Sequence, residues 1–508
     1  MLYPVPSLLC ARQFFPRKRS RRSIVGVFRC TLSATAADRF SMGQMTIDVL
    51  PDDVLLEIFS SYLIGASEDI EIEPWHTLVH VCRRWRSVVF ASPRRLNVQV
   101  LYTPKRQVKV MLDIWPNLPV HILAYGYKLA QDRSENNLIA ALEHTDSICQ
   151  IQLKGFSCSE LETILPAMQK PFPALTSIDI GCSQLFPRVV AVLPQAFLGG
   201  SAQHLRSCKL LGVEFPGIWK LLLTANHLVT LNLWDIPHSI YASPEEMVTY
   251  LSTMPNLESL FVGFRSPQSL HNWPDEPNRL PYPLTGVVLP SLTNFHFRAM
   301  SEYIEDFVSR IDAPQLDKVD LRIFDQPIFN TSRIRDFLGR IEKFKALSRG
   351  VVALFRFSIN LELEPGSISL GILCEGSGRQ VSSMAQLCRS SLHHPSTLKR
   401  LDIRRIYPQR RVRQYQVENI QWLELLHSFT GLEDVRVGEG LTLHYALALR
   451  ELAGERLTEV LPALQNIFIE DLELSGPIQE ALGQFVAARQ LSGLPVVVHN
   501  WDRVDRRS

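Results

Sequence analysis

The stretch LVTLNL, from Leu228 to Leu233, carries apolar side chains at its first, fourth and sixth positions. Alternation at the end of the stretch is typical of a short strand with one buried face. The pattern returns along the chain from Ile148 onward, and we count eleven copies, with first residues at 148, 175, 205, 228, 257, 292, 316, 352, 398, 432 and 464. Because one such unit cannot bury its own apolar face, the repetition predicts strands stacked in one array.

Helical segments separate these strands. In SPEEMVTYLSTM, Ser243 can cap a helix, Pro244 suits the first helical position and Glu246 completes a capping box. Strand, helix and strand again predict parallel strands in an α/β solenoid that resembles a leucine-rich-repeat array. Regular repeats of that kind place Asn or Cys at the ninth position, and only Asn360 does so here. The turns must therefore satisfy their backbone groups in another way.

Composition excludes several classes of protein. The 508 residues are 46% hydrophobic and 20% charged, as expected of a globular chain. We find no run of about 18 uninterrupted apolar residues, so we expect no membrane partner. The nine cysteines lack Cys-x-x-Cys pairs and zinc-type spacing, which favours reduced thiols in the cytoplasm or nucleus and no metal or other cofactor. Beyond residue 45 acids slightly outnumber bases, which argues against nucleic-acid binding.

Residues 1–45 differ from the rest in charge. They hold eight Lys or Arg and a single acid, Asp38. This composition resembles a mitochondrial transit peptide, and RKRSRR (17–22) alone would suit a nuclear signal. The simplest interpretation is a disordered extension, or untranslated sequence upstream of a start at Met42 or Met45, and mitochondrial targeting is the minor alternative. No function is assigned to this leader.

Two amphipathic helical segments follow the leader. LPDDVLLEIFSSYL (50–63) has apolar residues at 54, 55, 58, 59, 62 and 63, after a start marked by Pro51 and Asp52. WHTLVHVCRRWRSVVF (75–90) keeps the same period, with its arginines predicted near the C-terminal end of one helix. A unit of about 45 residues buries too little surface to be stable alone. Either the rest of this chain or a partner protein must cover these helices.

The two segments together resemble an F-box, with a Leu-Pro opening and a Val-Cys-Arg-x-Trp core over residues 49–96. The chain as a whole after residue 45 resembles the large group of fungal F-box proteins. The resemblance implies that the F-box docks a Skp-type adaptor, which joins the protein to a cullin ubiquitin ligase. It assigns adaptor binding to Leu50, Pro51, Val54, Leu55, Ile58, Phe59, Leu78, Val81, Cys82 and Trp85. The acidic linker, residues 64–74, is longer than is usual in that family.

Catalytic motifs are absent from the sequence. It contains no Gly-x-Ser-x-Gly, no phosphate-binding Gly-x-x-x-x-Gly-Lys and no His-Glu-x-x-His. His393 and His394 precede Pro395 and are read as a solvated loop. A Pro-rich loop, 266–283, interrupts the array with Trp273, and a loop of this length is either a binding element or disordered. The sequence thus predicts a protein that is not an enzyme.

A target-binding surface is predicted on the outward face of the repeat strands. The fifth positions of four repeats read Asp320, Arg356, Asp402 and Arg436, which could pair as a charge ladder. The seventh positions read Arg298, Arg322, Ser358 and Arg404, where like charges would repel one another. With the preceding outward residues Trp234, Phe261 and His296, they predict a site for an acidic or phosphorylated segment. Solvated arginines on an irregular sheet are the alternative.

The sequence therefore predicts an α+β multidomain protein with an all-α F-box followed by an α/β leucine-rich-repeat-like solenoid of parallel strands. The predicted boundaries are a leader at 1–45, the F-box at 46–96, a transition segment at 97–147 and a recognition domain at 148–508. The predicted function is a substrate-recruiting F-box adaptor subunit of a cullin-type ubiquitin ligase. A repeat scaffold acting outside a ligase is the alternative.

Overall fold

The computed structural model describes residues 50–65, 75–93, 95–96, 98, 100–102, 118–126, 135–182, 190–237, 241–265, 286–329, 331–345, 347–364, 367–374, 377–392, 395–406, 418–438, 440–452, 456–470 and 476–501. Four features of the sequence lie outside these ranges: the leader, residues 66–74 of the acidic linker, the Pro-rich loop, and His393 with His394. None of the helices within the ranges is both long enough and apolar enough to span a membrane.

The described part of the N-terminal region contains three helices: α1 (Asp52–Gly65), α2 (Trp75–Val79) and α3 (Arg83–Ala91). The predicted single helix over 75–90 is wrong, because the chain leaves the helical conformation between Val79 and Arg83. Cys82 caps the second piece, and its Sγ accepts a hydrogen bond from the N–H of Trp85 at 3.4 Å. The arginines predicted near a helix C-terminus thus begin a helix instead.

A series of strands follows the N-terminal helices. Within the described ranges the bounds are β1 Val100–Tyr102, β2 Val120–Tyr125, β3 Ile148–Phe156, β4 Ser177–Cys182, β5 Ala191–Val192, β6 Ser207–Leu211, β7 Val213–Glu214, β8 Thr230–Ile236, β9 Ser259–Phe264, β10 Val287–Val288, β11 Asn294–Ala299, β12 Ile311–Asp312, β13 Lys318–Phe324, β14 Arg349–Leu354, β15 Ile359–Glu364, β16 Ile368–Leu373, β17 Arg400–Arg405, β18 Asp434–Val437, β19 Asn466–Glu470 and β20 Val497–Trp501. Sixteen of these strands form one sheet, in the order β1-β2-β3-β4-β6-β8-β9-β11-β13-β16-β15-β14-β17-β18-β19-β20. Two short pairs, β5 with β7 and β10 with β12, lie outside it.

Helices connect most of these strands. They are α4 Glu135–Leu142, α5 Cys158–Ile164, α6 Ile218–Leu222, α7 Pro244–Leu251, α8 Ser301–Ser309, α9 Ser332–Gly339, α10 Ser377–Ser391, α11 Asn419–Leu426, α12 Thr442–Arg450, α13 Arg456–Glu459 and α14 Pro477–Leu491. The predicted cap at Ser243 is confirmed, since its side chain and that of Glu246 form a capping box. Along most strands buried residues alternate with half-buried ones, so the sheet has a core face and an open face.

The predicted fold class is confirmed: a helical N-terminal region precedes a long sheet of mainly parallel strands with mixed α/β content. Buried apolar residues form one continuous cluster that runs from Leu55 in α1 to Val496 before β20. The N-terminal helices are therefore covered in part by the rest of the chain itself.

One predicted repeat has a different topology. The unit beginning at Val352 was expected to place its strand over Phe355 and Phe357, but these residues lie in the turn between β14 and β15. Strands β14, β15 and β16 form an antiparallel meander, and β16 pairs in parallel with β13 while β14 pairs in parallel with β17. The connections within the meander are too short for a helix, so the chain must reverse. Asn360 consequently lies within β15 rather than in a repeat turn.

Neighbouring repeats also satisfy each other's backbone groups. The residue before α9, Thr331, makes no capping bond with its side chain. Instead the buried carboxylate of Glu305 in α8 accepts hydrogen bonds from the N–H groups of Ile334 at 2.7 Å and Arg333 at 2.9 Å. Burial raises the pKa of Glu305, and these N–H groups oppose that rise. The helix dipole of α9 also favours a carboxylate at this end.

Replacing Glu305 by alanine should lower the free energy of unfolding by about 2–3 kcal/mol, because the buried N–H of Ile334 and the half-buried N–H of Arg333 would lose their acceptor. Chemical denaturation of the purified protein measures this. The matched control is Glu342→Ala, whose side chain is 82% exposed and pairs with the exposed Lys345, and we expect a change within about 0.5 kcal/mol there. Equal losses for the two variants would contradict the capping role.

Candidate functional site

The N-terminal helices present an exposed apolar stripe. Val54, Ile58 and Tyr62 of α1 are 41%, 39% and 47% exposed, and Val81 in the loop before α3 is 56% exposed. Four-residue spacing places the three α1 residues on one helix face. We call these four residues the apolar stripe. Tyr62 belongs to the predicted helical period but was not among the predicted site residues.

The ten predicted adaptor-binding residues divide into three groups by burial. Leu55, Phe59 and Leu78 are buried in the core of the chain itself. Leu50, Cys82 and Trp85 are half-buried. Pro51, Val54, Ile58 and Val81 are exposed. Of these ten residues, only the exposed ones and the exposed parts of the half-buried ones are available to a partner in this arrangement.

Contacts between α1 and α3 fix the orientation of the apolar stripe. The rings of Phe59 and Trp85 lie 4.7 Å apart between centroids. Arg84 pairs with Asp52 at 2.7 Å and donates to the backbone carbonyl of Leu50 at 2.5 Å. An arginine at the start of α3 is disfavoured by the helix dipole, and the carboxylate of Asp52 offsets this cost.

Five of the six predicted target-binding residues lie together on the open face of the sheet. The ring cluster comprises Trp234, Phe261, His296 and Arg298. Ring centroids of His296 lie 4.7 Å from Trp234 and 5.6 Å from Phe261, and the Arg298 guanidinium lies 4.2 Å from the Trp234 centroid. Arg322 neighbours Arg298 on the next strand, β13.

The ring cluster is held in place by residues that sequence reasoning missed. Gly263 lies beside Trp234, and a Cβ on Gly263 would come within 2.4 Å of the indole. Arg298 pairs with Asp235, and its Nε donates to the carbonyl of Phe264 at 2.8 Å. Asp235 has a φ of 56°, which is rare for a residue with a side chain. Backbone strain at Asp235 and the missing side chain at 263 together leave Trp234 room to lie over β9.

Arg404 lies away from the ring cluster. Arg404 and Arg322 occupy paired positions across the sheet, but the three strands of the meander lie between them. Those strands contribute Gly371, Asn360 and Ala353 at the intervening positions. The expected repulsion between arginines is also wrong, because each has a carboxylate. Arg298 pairs with Asp235, Arg322 with Asp320 at 3.3 Å and Arg404 with Asp402 at 2.5 Å. Neither the outward direction of a strand position nor its residue type could reveal these partners.

The predicted charge ladder is likewise wrong. Arg356 lies in a turn and stacks on Phe357 at 4.8 Å, so it is not in the ladder. Asp402 is fully buried and bonds to Arg349 at 2.7 Å. Arg436 instead packs against two rings, at 5.2 Å from Phe468 and 5.4 Å from Trp501. Arg436, Phe468 and Trp501 thus form a second aromatic and cationic patch, which the repeat pattern alone did not indicate.

In the described ranges, potential metal ligands are dispersed and several thiols are buried. No group of three or more His, Cys, Asp or Glu residues there could hold a metal ion. Burial raises the pKa of the Cys208, Cys374 and Cys388 thiols to about 12 each, which disfavours the nucleophilic thiolate. The open face offers rings, hydrogen-bonding groups and ion pairs, which suit recognition.

Comparison with known proteins gives one family match. Residues 47–94 match a family model described as F-box-like. No curated protein matches the sequence significantly. Among solved structures, the chain is similar to the leucine-rich repeat-containing protein LegL7 from Legionella pneumophila, with 13% identity and a TM-score of 0.25. That comparison covers 78% of this chain and 98% of that one.

Proposed function

We propose that the chain, whose residues 47–94 form an F-box-like domain, is the substrate-recruiting subunit of a cullin-type ubiquitin ligase. The observation that carries the proposal is the apolar stripe within this domain. Exposed large apolar residues on one helix face mark an interaction site. A Skp-type adaptor, the partner that F-box domains bind, would cover the stripe and connect the chain to a cullin.

In this proposal the repeat array binds the target protein. An extended sheet face with rings and ion pairs is available for that contact along the array. The chain would hold its target close to a ubiquitin-charged enzyme elsewhere in the complex, so its contribution to the reaction is proximity rather than chemistry. We place this activity in the cytoplasm or nucleus, because Cys82, Cys149, Cys208, Cys374 and Cys388 in the described ranges are free thiols.

Co-purification tests the proposal directly. The full chain is expressed in eukaryotic cells, captured under mild conditions, and probed for a Skp-type adaptor and a cullin. We expect both to be recovered in defined proportion to the chain. If neither is recovered while the chain is folded, the ligase role is wrong and a protein-interaction scaffold outside a ligase becomes the better explanation.

A further inference from the structure

Two cysteines lie against each other at the end of β4. Cys182 is the last residue of β4, and Cys158 is the first residue of α5. Their Sγ atoms lie 2.7 Å apart, and we call these two residues the thiol pair. A disulfide bond is about 2.0 Å long, so the two sulfur atoms need to move by less than about 1 Å to bond. The thiol pair is thus placed for a covalent cross-link.

The local sequence explains why these cysteines meet. Gly155, near the end of β3, has a φ of 68°, a conformation that glycine adopts without strain. The pairing of β3 with β4 passes over this glycine, so Phe156 lies opposite Cys182. Ser157 then caps α5, and the chain enters the helix at once. Cys158 is therefore held beside the end of the neighbouring strand.

Both cysteines lie at the edge of the core. Cys158 is 9% exposed and Cys182 is 7% exposed, whereas Cys208 and Cys388 are 1% and 0% exposed. An oxidant as small as a peroxide therefore needs only a small local opening of the structure to reach a sulfur atom of the thiol pair. The fully enclosed cysteines require a much larger opening.

Charged groups around the thiol pair act in both directions. The guanidinium of Arg265 lies near Cys182, since a Cβ on Gly212 would stand 3.9 Å from Nη2 of Arg265 and 3.9 Å from Cβ of Cys182. Burial, the contact with Cys158 and the charge of Glu160 raise the pKa of Cys182 to about 12, and Arg265 opposes this rise. The reactive thiolate is consequently scarce at neutral pH. We expect the thiol pair to react slowly and only while an oxidant persists.

We propose that Cys158 and Cys182 form a reversible disulfide when hydrogen peroxide oxidises the thiol pair. One sulfur takes an oxygen from the peroxide to give a sulfenic acid, and the rest of the peroxide leaves as water. The second sulfur then attacks the first, so that the S–S bond forms, the S–O bond breaks and the hydroxyl leaves as water. The thiol pair loses two electrons and two protons, and the peroxide becomes two molecules of water.

The disulfide would join two neighbouring repeats. Helix α5 follows β3, and β4 is the strand of the next repeat, so the bond ties the start of one helix to the end of the following strand. It also closes residues 158–182 into a loop, which lowers the conformational entropy of the unfolded chain. Oxidation should therefore raise the Tm of the array. This modification site does not depend on the ligase role.

Mass spectrometry of the full chain tests the cross-link. The purified protein is reduced, freed of reductant and held with hydrogen peroxide, and remaining thiols are alkylated before digestion without reductant. We expect the peptides that contain Cys158 and Cys182 to be recovered joined, and dithiothreitol to separate them. Peroxide should increase the joined form by at least about tenfold over an untreated sample.

The matched control is Cys208→Ser, which removes a buried thiol on the neighbouring strand β6 and should leave the joined peptides unchanged. Cys158→Ser should abolish them. Absence of the joined peptides while circular dichroism shows an intact fold would overturn the proposal. Joining of Cys158 or Cys182 to other cysteines in equal yield would overturn it as well, as would oxidation of both to sulfinic acids. The unmodified chain decides between these outcomes even if a variant misfolds.

Discussion

Replacing Val54 and Ile58 together by aspartate is expected to abolish recovery of the adaptor while the repeat array stays folded. Both residues are exposed in the free chain, so the change creates no buried charge in it. In a complex, two apolar contacts worth about 1.5–3 kcal/mol each would be lost and two charges would be desolvated. Affinity should fall by at least about a hundredfold. Quantitative pull-down with the adaptor measures the loss, and circular dichroism verifies the fold.

Two further variants make this result specific. Ile420→Asp changes an exposed apolar residue of similar exposure on α11 and should leave adaptor recovery unchanged. Leu55→Asp places a charge at a fully buried position, so we expect it to unfold the N-terminal helices and to be uninformative about the interface. Full adaptor recovery by the Val54 and Ile58 double variant would show that another surface makes the contact.

The second large effect concerns the stability of the array. Gly431, just before β18, lies so close to the chain before β17 that a Cβ would stand 1.7 Å from the carbonyl oxygen of Ser396. Both sides of this contact are backbone, so neither side can rotate away. We expect Gly431→Ala to lower the free energy of unfolding by more than about 3 kcal/mol. Thermal and urea denaturation measure the change.

Gly483 in α14 provides the matched control for this substitution. It has open space around the position of a Cβ, and it lies inside a helix. Alanine there should raise the free energy of unfolding by about 0.5–1 kcal/mol, because glycine is the weaker helix former. If both alanine variants were destabilised alike, the close approach at Gly431 would not be the cause.

Periodicity predicted helical segments at 50–63 and 75–90, but not the break in the second segment or which residues stay exposed. Leu55 and Ile58 lie three positions apart and both belong to the apolar face of the predicted helix, so the pattern does not distinguish them. In the structure Leu55 is buried by this chain and Ile58 is not. The division depends on how residues distant in sequence pack against α1, which no local pattern encodes.

The same limit applies to the open face of the sheet. Alternation correctly identified Trp234, Phe261, His296 and Arg298 as neighbours, since their strands follow one another in both sequence and space. Arg404 was misplaced because the order of strands beyond β13 does not follow the sequence. The partner of Arg298, Asp235, was missed because the bulge in β8 turns that residue away from simple alternation.

The meander also governs the order in which the array can assemble. Elsewhere a strand pairs with one close along the chain, as when Thr230 meets Ser259, so folding can spread from one repeat to the next. At β13 that progression stops, because Val319 pairs with Ile368 of β16, and β14 and β15 lie between them in the chain. The chain segment between β13 and β16 must close into a loop before β16 can pair. Closing it lowers the conformational entropy of the chain before β16 makes any stabilising contact. The two ends of the array are thus expected to nucleate separately and to join last at the meander.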